Sequence, residues 1–198
     1  MSHPRFIKAF RIAVAGTHST GKTTFMNALR EEFEKRGLTV EYVHDSAAEA
    51  RDTGFPILSG HTYESTAWLM ARAMQLEMEA TLKSQIILVD RPVHDALGYL
   101  LAALAHTDRD ITEEKMARLD GVCDAWKGEY DLVFMTVMDP AVPVGEGRDD
   151  NAVFRALAGQ KVAEVVNRFL PNRLLLKNGE RHEAVLRCLA EFEARASG

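Results

Sequence analysis

The sequence predicts an α/β protein built on a parallel sheet, and three observations carry the prediction. Short apolar runs alternate with stretches of helical periodicity along the chain. One run, Ile86-Ile87-Leu88-Val89, is apolar at every position, as suits a strand covered on both faces. A glycine-framed turn, Gly16-Thr17-His18-Ser19-Thr20-Gly21-Lys22-Thr23, stands between an apolar run and a helical one, where a P-loop must stand.

Residues 1–8 form a lead-in without the apolar centre of a signal peptide. Residues 10–15 (Phe-Arg-Ile-Ala-Val-Ala) are the first strand. The helix at 21–36 sets Phe25, Leu29 and Phe33 four apart on one face, and Gly37 ends it. Residues 39–43 are a β-rich second strand, closing at His44-Asp45. A short helical turn at 47–51 is broken by Thr53-Gly54-Phe55-Pro56. A long helix at 62–83 carries Trp68, Met70, Met74, Leu76 and Met78, read as core. The third strand, 86–89, ends at Asp90. Arg91-Pro92 turns into a helix at 93–105, and a second helix at 112–126 opens on Thr112, with Glu114 an off-register capping-box partner. Residues 132–137 are the fourth strand. Residues 139–150 are polar and rich in glycine and proline, hence a loop. Helix 151–169, strand 173–176, an Asn178-Gly179 turn and helix 180–195 complete the chain. Nothing divides it, so a single domain over 1–198 is expected.

The loop at 16–23 has a definite chemistry. Its glycines let the backbone turn and aim successive N–H groups at phosphate oxygens, and the following helix adds its positive end. Gly16, Thr17, His18, Ser19, Thr20, Gly21, Lys22, Thr23 and Thr24 are therefore the donor-binding set. Lys22 reaches the β- and γ-phosphates, and the Thr23 hydroxyl holds Mg²⁺. In sheets of this class ligands sit beyond the carboxyl ends of strands. Asp90, ending the all-apolar run, is the second Mg²⁺-linked group. Arg91 is placed to contact phosphate, or else to anchor the sheet through a salt bridge. Asp45 faces a second substrate as an orienting or proton-accepting acid, with capping of the next turn as the alternative. Asp95 and Tyr99 lie four apart on the helix after Arg91 and line the acceptor side. The 139–155 segment reads as a lid, with Arg148 and Arg155 supplying positive charge to the transferring group. Lys161, Arg168, Lys177 and Arg181 read as solvated surface.

Composition limits the alternatives. No apolar run approaches the roughly 18 residues of a membrane span, so no membrane partner is expected. Two distant cysteines, Cys123 and Cys188, have no metal-ligand spacing and fit reduced thiols in a cytoplasmic protein. A net charge of −5 argues against general nucleic-acid binding.

Taken together, residues 16–24, Asp45, Val89-Asp90-Arg91 with Asp95 and Tyr99, Gly147-Arg148 and Phe154-Arg155 resemble the small AAA-like P-loop kinases. These include the ribosylnicotinamide kinase domain and, more distantly, thymidylate and deoxynucleoside kinases. The resemblance spans about residues 10–176 and implies a P-loop NTPase three-layer sandwich with strand order 2-3-1-4-5 and a lid. It implies phosphoryl transfer from ATP to a small hydroxyl or phosphate acceptor, with Asp45 where relatives usually carry glutamate and Arg51 the nearest following arginine. Relatives are often dimers, so a homodimer is one expected assembly.

The leading reading is a Mg²⁺-dependent kinase of a nucleoside or nucleotide-like acceptor. No motif separates adenine from guanine, so GTP stands beside ATP as donor. A regulatory ATPase or GTPase is the alternative class. Its guanine-reading Asn-Lys-x-Asp motif is absent, and Asp95-Ala96-Leu97-Gly98, which has the spacing of a switch motif, falls inside a helix. A kinase of polynucleotide ends or modified DNA bases needs a basic groove that the acidic balance disfavours.

Overall fold

The computed structural model describes residues 8–17, 21–136, 152–177 and 179–196. Five parallel strands, β1 (Phe10–Ala15), β2 (Val40–Val43), β3 (Ile86–Asp90), β4 (Leu132–Thr136) and β5 (Leu174–Leu176), lie in the order β2-β3-β1-β4-β5. This is the order the resemblance implies. The helices are α1 (Lys22–Lys35), α2 (Ala47–Thr53), α3 (Tyr63–Ala80), α4 (Val93–Thr107), α5 (Glu113–Trp126), α6 (Ala152–Phe169) and α7 (Arg181–Ala196), with one 3₁₀ turn at Leu58–Gly60 that the sequence did not signal.

Strand alternation builds the three layers. Phe10, Ile12, Val14, Ile86, Leu88 and Phe134 point to one face, where Phe25, Met26, Leu29 and Phe33 of α1 and Val185, Cys188 and Leu189 of α7 cover them. Ala13, Ala15, Ile87, Val89, Val133 and Met135 point to the other, under α3, α4, α5 and α6. Both faces of the central strands are thus buried, which is why β3 reads as continuously apolar.

Two expectations about side chains fail. Met78 is half-exposed rather than core, whereas its neighbour Glu77 is fully buried. Trp126 Nε1 and Tyr130 Oη each donate to the Glu77 carboxylate, at 2.9 and 3.0 Å, and Arg11 stands 3.8 Å away. Met78 therefore takes the outward turn of α3 because Glu77 has the inward one. The capping box also falls elsewhere. Thr112 caps Lys115 alone, and the reciprocal pair is Thr62 with Ser65 at the head of α3.

Helix α4 lies directly on α6, and Gly98 is the point of contact. A Cβ there would stand 2.6 Å from Val162 Cα and 2.8 Å from its nitrogen. Backbone atoms cannot swing aside, so Gly98→Ala forces the helices apart. The expected loss is about 2 kcal/mol of folding stability, overriding the roughly 1 kcal/mol that alanine gains in a helix. Urea denaturation checks it.

Candidate functional site

The phosphate loop begins where β1 ends. Gly16 has φ +126°, and a side chain there would run into the Thr136 hydroxyl at the end of β4, which is itself fixed by donating to Ala15 O at 3.1 Å. Gly21, at φ +80°, starts α1 and supplies no side-chain cap, and the positive end of that helix is of the kind that meets an anion. Lys22 is buried and donates to Gly16 O at 3.0 Å and Thr17 O at 2.8 Å. Burial, and then the charge of Arg91, pulls its ammonium down to about 8, so a polyanion beside it would be held by restoring its full charge. Thr23 and Thr24 face solvent on the first turn of α1. His18, Ser19 and Thr20 lie outside the described residues.

Alternation then sorts the strand-end acids. Asp90 shares its face with Ile86 and Leu88 and so meets α1. Its Oδ1 is 3.9 Å from Lys22 Nζ, and its Oδ2 accepts from Tyr42 Oη at 3.3 Å. Asp90 Oδ1 is buried with no hydrogen-bond partner among the described residues, leaving a hard oxygen available beside the lysine. Among the described residues no cluster of three His, Cys, Asp or Glu forms a metal cage. Asp90 Oδ1 and the Thr23 hydroxyl are hard oxygens of the kind that could hold a Mg²⁺ ion.

Asp45 continues the Val43 face, toward α4. Its Oδ2 is 2.8 Å from Arg91 Nε, and its Oδ1 accepts from Ala47 N at 2.8 Å. Both alternatives named for these residues, the cap and the salt bridge, are thus realised. Arg91 adopts φ +71° and its guanidinium lies 4.9 Å over the Tyr99 ring. A left-handed arginine at a strand end is strained backbone, held here by Arg91 N donating to Val14 O at 3.1 Å.

Asp95, in the first turn of α4, is 1% exposed, and its Oδ2 accepts from Gly16 N at 3.0 Å. Burial raises its carboxyl to about 7. These residues border an open cleft whose enclosed volume is about 60 Å³. Asp45, Arg91, Asp95, Tyr99 and His61 give it a polar side, and Ile57, Leu58, Leu69 and Ala73 an apolar one. The His61 ring lies 5.7 Å from that of Tyr99, and burial pulls its imidazole below the usual range.

The structure brings Gly16, Thr17, Gly21, Lys22, Thr23, Asp90, Arg91, Asp45, Asp95 and Tyr99 to one end of the sheet. Arg155 is half-buried at the start of α6, and among the described residues no hydrogen bond or ion pair ties it to the loop. Arg148 and the lid up to residue 151 lie outside the described residues. Sequence reasoning missed Tyr42, His61 and Thr136. It also placed Arg181 on the solvated surface, whereas its guanidinium rests against Gly21. Arg181 opens the helix after β5, so the rule that strand ends matter, applied to the last strand, was the signal that pointed to it.

A phosphate-binding loop after the central strand of a 2-3-1-4-5 parallel sheet defines the P-loop α/β class. Within it, the chain belongs to the family described as AAA domain, whose profile matches residues 11–183. No curated protein matches by sequence. Among solved structures, NadR in complex with NR superposes with TM-score 0.68 at 14% identity, covering 92% of this chain and 51% of that one. NadR in complex with NAD and AMP-PNP gives 0.63 at 15%, covering 92% and 49%. Deoxyadenosine kinase from M. mycoides with bound dATP gives 0.61 at 10%, covering 94% and 99%. The chain spans about half the length of the NadR chains it resembles. Among the described residues, no helix is long and apolar enough to cross a membrane.

Proposed function

We propose that the protein moves the γ-phosphoryl group of ATP to a hydroxyl or phosphate of a small, nucleoside-like acceptor. One observation carries this reading. A cleft with apolar and polar lining residues abuts the phosphate loop through the Asp95–Gly16 hydrogen bond. A nucleotide switch that only hydrolyses its ligand has no use for a second organic pocket beside the γ-phosphate position. The nucleotides and NR named for the structural neighbours support the same reading.

In this reading residues 16–24 and Lys22 hold the donor phosphates. Thr23 and Asp90 hold Mg²⁺, which when bound neutralises charge on the transferring group. Arg91, with Asp45, Asp95 and Tyr99, receives the acceptor. Arg148 and Arg155 supply further charge as the phosphoryl group moves.

The test is a screen with Mg·ATP and Mg·GTP against nucleosides, nucleotides, ribosylnicotinamide, sugars and a short oligonucleotide. Diphosphate release that depends on a small acceptor, with that acceptor gaining one phosphoryl group, is expected. Slow release that no acceptor stimulates would overturn the kinase reading in favour of a switch.

A further inference from the structure

Asp90 and Lys22 carry opposite charges at the phosphate loop, yet no hydrogen bond joins them. Asp90 Oδ1 stands 3.9 Å from Lys22 Nζ, beyond hydrogen-bond reach. We propose that Tyr42 is the positioning residue that keeps the two apart, holding Asp90 for Mg²⁺ and Lys22 for the donor phosphates. The proposal rests on the donor-site reading above, in which Thr23 and Asp90 hold Mg²⁺.

Strand register makes the contact. Tyr42 on β2 lies opposite Leu88 on β3, so its ring points to the α1 face. Asp90 lies two residues beyond Leu88 and shares that face. Tyr42 Oη donates to Asp90 Oδ2 at 3.3 Å, while Asp90 Oδ1 is buried with no hydrogen-bond partner among the described residues. Tyr42 Oη also lies 3.4 Å from Met26 Sδ, but a phenol has one proton and a thioether is a weak acceptor beside a carboxylate. The His44 ring packs 4.2 Å from the Tyr42 ring and backs the phenol on its other side. The Asp90 side chain keeps 17% of its surface open, so an ion or its water shell can reach it.

Lys22 shows what the Tyr42 bond prevents. An ammonium has three donors. Two of those on Lys22 go to Gly16 O and Thr17 O, at 3.0 and 2.8 Å. The third is the one left for a phosphate. A turn of the Asp90 side chain that closed the 3.9 Å gap by about 1 Å would bring Oδ1 to that donor. The two groups that must grip the nucleotide would then satisfy each other, and a buried ion pair is costly to reopen. Tyr42 opposes the turn, because its bond to Oδ2 is lost as the carboxylate rotates. It touches neither metal nor phosphate and acts through Asp90.

The experiment measures binding of AMP-PNP, a non-hydrolysable ATP analogue, by calorimetry across a Mg²⁺ titration. The proteins are the wild type, Tyr42→Phe and Met26→Leu, and no acceptor is needed. Phenylalanine keeps the ring and removes only the hydroxyl. Losing a partner that orients a metal ligand typically costs 10- to 100-fold in metal affinity, so Tyr42→Phe should raise the Mg²⁺ concentration at half-effect by roughly 10-fold or more. Its melting temperature without ligand should hold or rise, because Asp90 gains Lys22 in exchange for the phenol. Met26→Leu keeps the volume and removes the sulfur, so its Mg²⁺ midpoint should match the wild type. An unchanged midpoint in Tyr42→Phe, or an equal rise in Met26→Leu, overturns the proposal. So does a Tyr42→Phe protein that melts well below the wild type or fails to fold, since Tyr42 would then serve packing. Wild-type binding that ignores Mg²⁺ instead overturns the assignment of Thr23 and Asp90, and a failed acceptor screen overturns only the kinase reading.

Discussion

Lys22→Ala is expected to lower phosphoryl transfer by about 10³-fold or more, because it removes the cation that follows charge from the bound donor into the transition state. The loss should fall on kcat as well as on donor affinity. The fold should survive. Among the described residues Lys22 bonds to the carbonyls of Gly16 and Thr17 and approaches Asp90 at 3.9 Å, and all three lie at or just beyond strand ends. Arg91 and Asp95 still bracket the cavity. Circular dichroism and a thermal melt should therefore match the wild type while turnover collapses. Near-normal turnover by a folded Lys22→Ala protein would sink the assignment of the loop.

Glu77→Ala should be the most damaging single change to stability. It strips the shared acceptor from Trp126 Nε1 and Tyr130 Oη and takes away a nearby counter-charge of Arg11, at a position that is itself fully buried. Breaking a buried polar cluster from one side costs about 4 kcal/mol. For a chain of this size that lowers the melting temperature on the order of 10 °C. The damage would spread to the site, because Tyr130 Oη also accepts from Val93 N, at the start of the helix that carries Asp95. Glu77→Gln separates charge from hydrogen bonding. Burial raises the folded carboxyl from 4.5 to about 7, above its unfolded value. Its favourable contribution is thus complete below about pH 4.5 and is lost as pH rises through 7. The stability of Glu77→Gln relative to wild type should accordingly improve by up to about 3 kcal/mol between pH 5 and 8. A pH-independent difference would show that Arg11 keeps Glu77 ionised throughout.

Most of the architecture was legible because it is written in local patterns. The alternation of runs set the element order, and the loop at 16–23 fixed the centre of the sheet. The carboxylates and the arginine at strand ends, Asp45, Asp90 and Arg91, were legible because the class of fold gives those places meaning. The less legible residues act across long sequence distances. Tyr42 meets Asp90 from the neighbouring strand, and Thr136 meets Gly16 from the far side of β1. Glu77 sits in an apolar-rich helix where a glutamate reads as outward. Only Arg11, Trp126 and Tyr130, none of them near it in sequence, make its burial tolerable. The partnership of Asp45 with Arg91 likewise depends on a left-handed backbone that no periodicity announces.

The acceptor cavity has two walls of different origin. Most of its polar residues come from strand ends and α4, next to the phosphate loop, with His61 added from the crossover. Four of its apolar residues, Ile57, Leu58, Leu69 and Ala73, are carried on the crossover between β2 and β3. Under the proposed function, chemistry and selectivity would therefore be largely separable traits. Drift confined to the crossover can exchange one acceptor for another while the transfer machinery is inherited intact, and directed evolution has the same four positions as its natural starting library.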